Sequence, residues 1–166
     1  MNSLDHLATI AEVAIALAGF SALVAILGTR AGREKSKLEA FRIQMMLEAS
    51  LFVVMLALLP SILFEFRIDD RVAWRASAAL FLLLDLVASV SMTVRNRELR
   101  WAPADRKVGY LVGSLSLAAD AAVVVVLLGF AADRAAALYL LALYLNVALS
   151  AILFIRFAAS TFLPDE

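Results

Sequence analysis

Long apolar stretches alternate with short polar ones along this chain. The apolar stretches, each 22 or 23 residues long, cover residues 7–28, 43–64, 72–94, 108–130 and 135–157. A helix of roughly 20 apolar residues crosses the hydrocarbon core of a bilayer, which is about 30 Å thick. Each stretch is therefore long enough to span a membrane with some tilt. The pattern predicts an all-α integral membrane protein, a bundle of five transmembrane helices joined by short loops.

The segments between these stretches are too short to form a soluble domain, so we expect a single transmembrane domain over residues 1–166. The fourth connection, residues 131–134, is the shortest, and a connection of this length is ordinary between antiparallel helices. No basic segment precedes the first stretch, which contains Glu12 and is longer than the apolar part of a signal peptide. We therefore expect a retained helix there rather than a cleaved signal.

The amino-acid composition also indicates lipid rather than water as the main solvent. Apolar residues make up 64% of the 166 residues, whereas soluble domains contain roughly 45–50%. A soluble fold of this size leaves about 30% of its chain's surface exposed, too much to hide that apolar content. Charged residues make up 18%, cysteine is absent and the net charge is zero. These values exclude a disordered chain, a disulfide-stabilised secreted domain and a basic nucleic-acid-binding surface.

Lysine and arginine are distributed unevenly between the two sides that five spans create. Eleven fall on the side of the first loop, the third loop and the C-terminus, and four fall on the other side. Because basic residues favour the cytoplasmic side, we expect the N-terminus outside and the C-terminus inside. The basic first and third loops also favour contact with anionic lipid. Twelve arginines against three lysines are typical of a GC-rich bacterial genome, which predicts a plasma membrane, the bacterial inner membrane.

Each of the first four spans contains one acidic residue, and the fifth contains an amide. These polar residues are Glu12, Glu48, Asp85, Asp120 and Asn146. No lysine or arginine lies in the middle of any span to neutralise them. An ionisable group at the bilayer centre costs at least about 2.5–3.5 kcal/mol. We therefore expect these side chains to face the bundle interior, a wet cavity or a partner subunit.

The three residues nearest the middle of their spans, Asp85, Asp120 and Asn146, have polar neighbours on the same helical face. These supporting residues are Ser89, Ser116, Ser150 and Tyr139. The spacing predicts that the third, fourth and fifth helices meet around a common midplane site. Two unpartnered carboxyl groups at low dielectric do not both stay ionised, so they share protons, bind a cation or are hydrated. The alternative is that they only hold the helices together through hydrogen bonds.

The other two acidic residues lie nearer the ends of their spans. Glu12 lies beside a seam of small residues that permits close helix packing, formed in part by Ala14, Ala18, Gly19 and Ala25. This seam indicates either a tightly packed or self-associating helix, or a ring of Glu12 side chains at the outer mouth of an oligomeric pore. Glu48 is expected near the inner interface, within reach of water and of the ion pathway. Pro60 predicts a kink in the second span that frees a backbone carbonyl.

The residue types that most enzymes use are scarce. His6 is the only histidine, and cysteine is absent, which excludes a cysteine metal site, a thiol nucleophile and a histidine-assisted triad. The glycines are scattered and form no phosphate-binding loop. We expect neither an enzyme nor a cofactor, and whether a metal ion binds is left open.

The leading hypothesis is a small homo-oligomeric membrane channel or transporter for cations or protons. Asp85 and Asp120 would bind the ion with help from Asn146, and Glu12 would stand at the outer entrance. The alternative is a non-transporting assembly or signalling module whose buried polar residues hold helices and subunits together. A carrier for small organic cations is a third interpretation. No motif in the sequence identifies a family.

Overall fold

Five long helices form the protein in a computed structural model, which describes residues 3–30, 37–96 and 103–162. The helices are α1 (Ser3–Arg30), α2 (Lys37–Glu65), α3 (Asp70–Asn96), α4 (Pro103–Leu128) and α5 (Ala135–Phe162), with a short 3-10 helix at Ala132–Arg134. The prediction of an all-helical fold is confirmed. The basic side chains of the first and third loops, and with them the predicted contacts to anionic lipid, lie outside the described residues.

All five helices are long and apolar enough to cross a membrane. The candidate spans are Ser3–Ile26, Ile43–Glu65, Asp70–Val94, Gly109–Leu128 and Ala132–Arg156. Their bounds agree with the spans expected from the sequence to within four residues at every end. The fourth helix ends at Leu128, before the expected position 130, because Gly129 adopts a φ of +77° that terminates it.

The outer surface of the bundle is apolar, the reverse of a soluble protein. Large apolar side chains such as Phe20, Leu86 and Leu117 are exposed, the last at 70%. Fewer than a third of the residues in each candidate span are buried inside the protein. An apolar surface of this extent indicates a lipid environment, and five such helices indicate a multi-pass membrane protein.

Four of the helices surround a common centre. α2 and α4 each pack against α3 and α5, while α1 packs on the outside against α2 and α5. Ser3 lies at the same end of the bundle as the α2–α3 and α4–α5 connections. We call this the N-terminal end, and the end with residues 30, 37, 96 and 103 the opposite end. The larger apolar core includes Leu7, Val123 and Tyr139, whereas a small cluster around Met46 lies nearer the opposite end.

Hydrogen bonds and one charged contact stabilise the α2–α3 and α4–α5 connections at the N-terminal end. The Asp69 carboxylate accepts the Arg71 N–H at 3.0 Å and so caps the start of α3. At the end of α4, the Gly129 N–H donates to the Val126 carbonyl at 3.1 Å. The tip of the Arg75 side chain of α3 packs directly against Gly129, where a Cβ would displace it. Its positive charge is favourable there because a helix C-terminus carries partial negative charge.

Pro60 lies inside α2 and is buried. Proline has no N–H, so it cannot donate to the carbonyl of Leu56, four residues before it. The hydroxyl of Tyr139, on α5, donates to that carbonyl at 2.9 Å. The free carbonyl expected from the sequence is therefore satisfied by a neighbouring helix, which ties α5 to the middle of α2.

Candidate functional site

A cavity of about 250 Å³ lies between α2, α3, α4 and α5. Its lining comes from the first half of α2, the second half of α3, the first half of α4 and the second half of α5. Because neighbouring helices run in opposite directions, these halves all belong to the opposite end of the bundle and reach its middle. The volume corresponds to roughly eight water molecules at about 30 Å³ each.

Five of the site residues expected from the sequence line this cavity. They are Glu48 of α2, Asp85 and Ser89 of α3, Ser116 of α4 and Asn146 of α5. No lysine, arginine or histidine is among the described residues that line it. The cavity therefore combines carboxyl, hydroxyl and amide groups from four helices and contains no basic side chain from the described part of the chain.

Asp85 and Asp120 form a pair across the α3–α4 contact. Their carboxyl groups are close enough to interact electrostatically. The Ser89 hydroxyl donates to Asp85 Oδ2 at 3.4 Å. Asp120 Oδ1 is buried and has no hydrogen-bond partner among the described residues. Two carboxyl groups at this separation cannot both be ionised at low dielectric, so a hydrogen bond between them requires one shared proton.

Asn146 and Glu48 line the same cavity as Asp85. The Asn146 amide donates to the Ala142 carbonyl of its own helix at 3.2 Å. The Gln44 amide, one turn before Glu48, donates to its carboxylate at 2.7 Å. Glu48 thus adds a second acidic side chain, after Asp85, to the cavity lining.

Two of the supporting residues expected beside Asn146 lie elsewhere. Tyr139 bonds the carbonyl that Pro60 leaves free, and its ring lies outside the cavity lining. Ser150 is buried at 2% exposure and does not line the cavity, and its hydroxyl has no partner within the described ranges. Of the three polar residues that the spacing on α5 placed together, only Asn146 lines the cavity.

The small residues of α1 divide between two faces. Ala14 and Ala25 are buried and Ala18 is half-buried, whereas Glu12 and Gly19 are exposed on the outer surface of the bundle. No atom lies within 4 Å of the position that a Cβ would take at Gly19. None of the described residues of α1 lines the cavity. The structure therefore does not bring Glu12 to the Asp85–Asp120 pair.

An aromatic layer closes the cavity toward the N-terminal end, and sequence reasoning missed it. The layer consists of Phe64, Trp74, Phe81 and Tyr139, whose neighbouring ring centroids are 5.5 to 6.3 Å apart. Phe81 also lines the cavity, one helical turn before Asp85. The four-residue spacing between Phe81 and Asp85 was the signal in the sequence that could have placed this ring beside the site. Beyond the layer lies an open recess of about 610 Å³ that includes charged residues of the two connections.

Among the residues that the structure describes, no three histidine, cysteine, aspartate or glutamate side chains lie close enough to hold a metal ion. The sequence matches no family model, no curated protein and no solved structure.

Proposed function

We propose that this protein resides in a bacterial inner membrane and transports protons or cations through the Asp85–Asp120 pair. The observation that carries the proposal is the meeting of two intramembrane carboxyl groups beside a cavity whose described lining includes no basic side chain. A group of this kind within a span usually marks a route for ions or protons, because its burial is otherwise costly.

The pair can exchange one positive charge for another. With one proton shared between them, Asp85 and Asp120 together carry one negative charge. A second proton or a monovalent cation then makes the site neutral, which is the favourable state away from water. Ser89, bonded to Asp85, and the nearby Asn146 offer further oxygen atoms to a bound cation.

The arrangement favours a carrier over a permanently open channel. The residues that line the cavity belong to the halves of the helices nearer the opposite end, while the aromatic layer lies toward the recess at the N-terminal end. Access from one side at a time is what a carrier requires. With the N-terminus outside and the C-terminus inside, the cavity faces the cytoplasm.

Flux through reconstituted liposomes tests the proposal. We expect the protein to dissipate an imposed gradient of H⁺, Na⁺, K⁺ or Ca²⁺ faster than empty vesicles do. The double variant Asp85→Asn with Asp120→Asn should lower that flux at least about tenfold, since its pair no longer carries an exchangeable charge. Glu65→Gln, an exposed acid at the end of α2, is the matched control and should transport normally. Flux equal to that of empty vesicles, or flux that survives in the double variant, contradicts the proposal.

A second candidate function, the non-transporting assembly module, is favoured by the exposed face of α1. Glu12 and Gly19 both lie on that face. A carboxyl group that faces lipid is costly, as Glu12 would be there. At Gly19 there is room for another helix to approach closely, because no atom lies within 4 Å of the position of a Cβ. Self-association there would cover both residues. This candidate predicts that Gly19→Leu converts an oligomer to a monomer in mass photometry while Ala118→Leu, on exposed α4 surface, does not. It also predicts that no cation flux is ever seen.

A further inference from the structure

We propose that the cation held by this cavity is a small organic ammonium ion rather than a bare inorganic ion. The inference rests on the transport function proposed above and names its substrate class. It follows from four properties of the cavity: its walls, the number of oxygen atoms it offers, its size and its charge.

The walls of the cavity are mostly apolar. Besides its five polar residues, it is lined by aliphatic, aromatic and thioether side chains, including Phe52, Leu56, Phe81, Leu84, Met45 and Met92. A hydrated inorganic ion gains nothing from such walls, whereas the carbon atoms of an organic cation are removed from water against them. Methionine side chains adapt to ligands of irregular shape. The walls therefore match a cation that has an apolar body.

The oxygen atoms of the pair and of Ser89 do not by themselves complete the coordination shell of a tightly held metal ion. A bound Ca²⁺ takes six to eight oxygen ligands and Mg²⁺ requires near-octahedral geometry. The described side chains around the pair supply the carboxyl groups of Asp85 and Asp120 and the hydroxyl of Ser89. No metal-binding group of three acidic, histidine or cysteine side chains occurs in the described ranges. An ammonium ion is held instead by charge and by a few hydrogen bonds.

Phe81 provides a further feature suited to an organic cation. It lies four residues before Asp85, so the two side chains share one face of α3, and both line the cavity. An ammonium group beside an aromatic ring gains about 0.5–2 kcal/mol from the charge distribution of the ring. Asp85 and Phe81 thus bring a carboxyl group and an aromatic side chain to the lining of the cavity one helical turn apart.

The size and charge of the cavity limit the ligand further. Binding sites for drug-sized molecules occupy roughly 300–1,000 Å³, and this cavity of about 250 Å³ fits a smaller ion. The ionisable groups among its described lining residues are Asp85 of the pair and Glu48 of α2, while α5 contributes the neutral Asn146 and the described part of α1 contributes no lining residue. Since the pair carries one negative charge, a single positive charge on the ligand balances it.

Calorimetric titration of the purified full chain in lipid nanodiscs tests the inference. Benzyltrimethylammonium serves as the organic probe, at pH 8 and fixed ionic strength, with NaCl, KCl or CaCl₂ as competitors. We expect saturable binding of one ion per chain that the inorganic cations do not displace. Binding should weaken at low pH, because a second proton competes for the same carboxyl pair.

Two variants with matched controls separate site binding from general effects. Asp85→Asn with Asp120→Asn should weaken binding at least about tenfold, whereas Glu65→Gln should not change it. Gly113→Leu fills the cavity from α4, where a Cβ has no neighbour within 4 Å, and should also weaken binding about tenfold. Leucine forms helix better than glycine, so this variant should stay folded. Ala118→Leu, exposed and away from the cavity lining, should bind as the unchanged protein does.

The outcomes distinguish this inference from the transport proposal. Inorganic flux that depends on the aspartates, without binding of the organic probe, overturns the inference and leaves the transport proposal intact. Probe binding that survives in both the double-asparagine and the Gly113→Leu variants overturns the inference as well. Absence of both binding and flux overturns both proposals. Binding that is lost in both variants and retained in both controls supports the inference.

Discussion

Asp85 and Asp120 lie beside each other, and no basic side chain among the described residues that line the neighbouring cavity balances their charge. This arrangement has opposite consequences for stability and for function. Two neighbouring carboxyl groups repel when both are ionised, and Asp120 Oδ1 is buried without a hydrogen bond from the described residues. An arrangement that lowers the stability of the fold in this way is typical of a functional site.

We expect Asp120→Asn to raise thermal stability while it abolishes transport. The amide has the same size as the carboxyl group but no charge to desolvate, and it can donate to Asp85. A gain of about 1 kcal/mol corresponds to roughly 2–4 °C in melting temperature for a chain of this size. Circular dichroism in nanodiscs measures the change. A lower melting temperature without any flux in the unchanged protein would instead identify the pair as structural hydrogen bonding between helices.

At the scale of the helix, α2 depends on a bond that it cannot make itself. Pro60 leaves the Leu56 carbonyl without its usual donor, and the Tyr139 hydroxyl of α5 supplies one at 2.9 Å. An unsatisfied buried polar group costs roughly 1–3 kcal/mol. The proline of α2 and the contact of α2 with α5 are therefore linked through one hydroxyl group.

A double-mutant cycle measures that link. Tyr139→Phe removes only the hydroxyl and should destabilise the protein by about 1–3 kcal/mol, since the Leu56 carbonyl loses its donor. In a Pro60→Ala background the backbone N–H of residue 60 can bond that carbonyl, so the same substitution should cost clearly less. Urea unfolding of all four proteins in mixed micelles gives the coupling. Equal costs in the two backgrounds contradict the link.

The sequence was a reliable guide to the helices and a weaker one to their faces. Span length and the charges between spans are strong signals, and the described helices agree with them closely. Which side of an almost wholly apolar helix faces inward is hard to read, because no polar face opposes an apolar one. Tyr139 shows the limit: its spacing suggested a place beside Asn146, but the carbonyl freed by Pro60 on another helix determines its bond. Glu12, equally polar, faces outward.

At the scale of the whole molecule, orientation follows from loop charge. The chain contains no cysteine, so single-cysteine variants can be labelled without background. In intact cells, Asp133→Cys in the α4–α5 connection should react with a membrane-impermeant maleimide, and Lys35→Cys in the first loop should react only after lysis. The unchanged protein is the control. Labelling of Lys35→Cys in intact cells would reverse the orientation.

The shared proton of the Asp85–Asp120 pair also has an electrical consequence. The pair is neutral when it carries either one monovalent cation and the shared proton or two protons, so exchange of one cation for one proton moves no net charge. A membrane potential contributes about 2.3 kcal/mol per elementary charge per 100 mV, and it acts only on net charge. Uptake of benzyltrimethylammonium into liposomes should therefore follow the pH gradient and be unaffected by a valinomycin-imposed potential. An uptake rate that changes with voltage would show that the two carboxyl groups do not share a proton during transport.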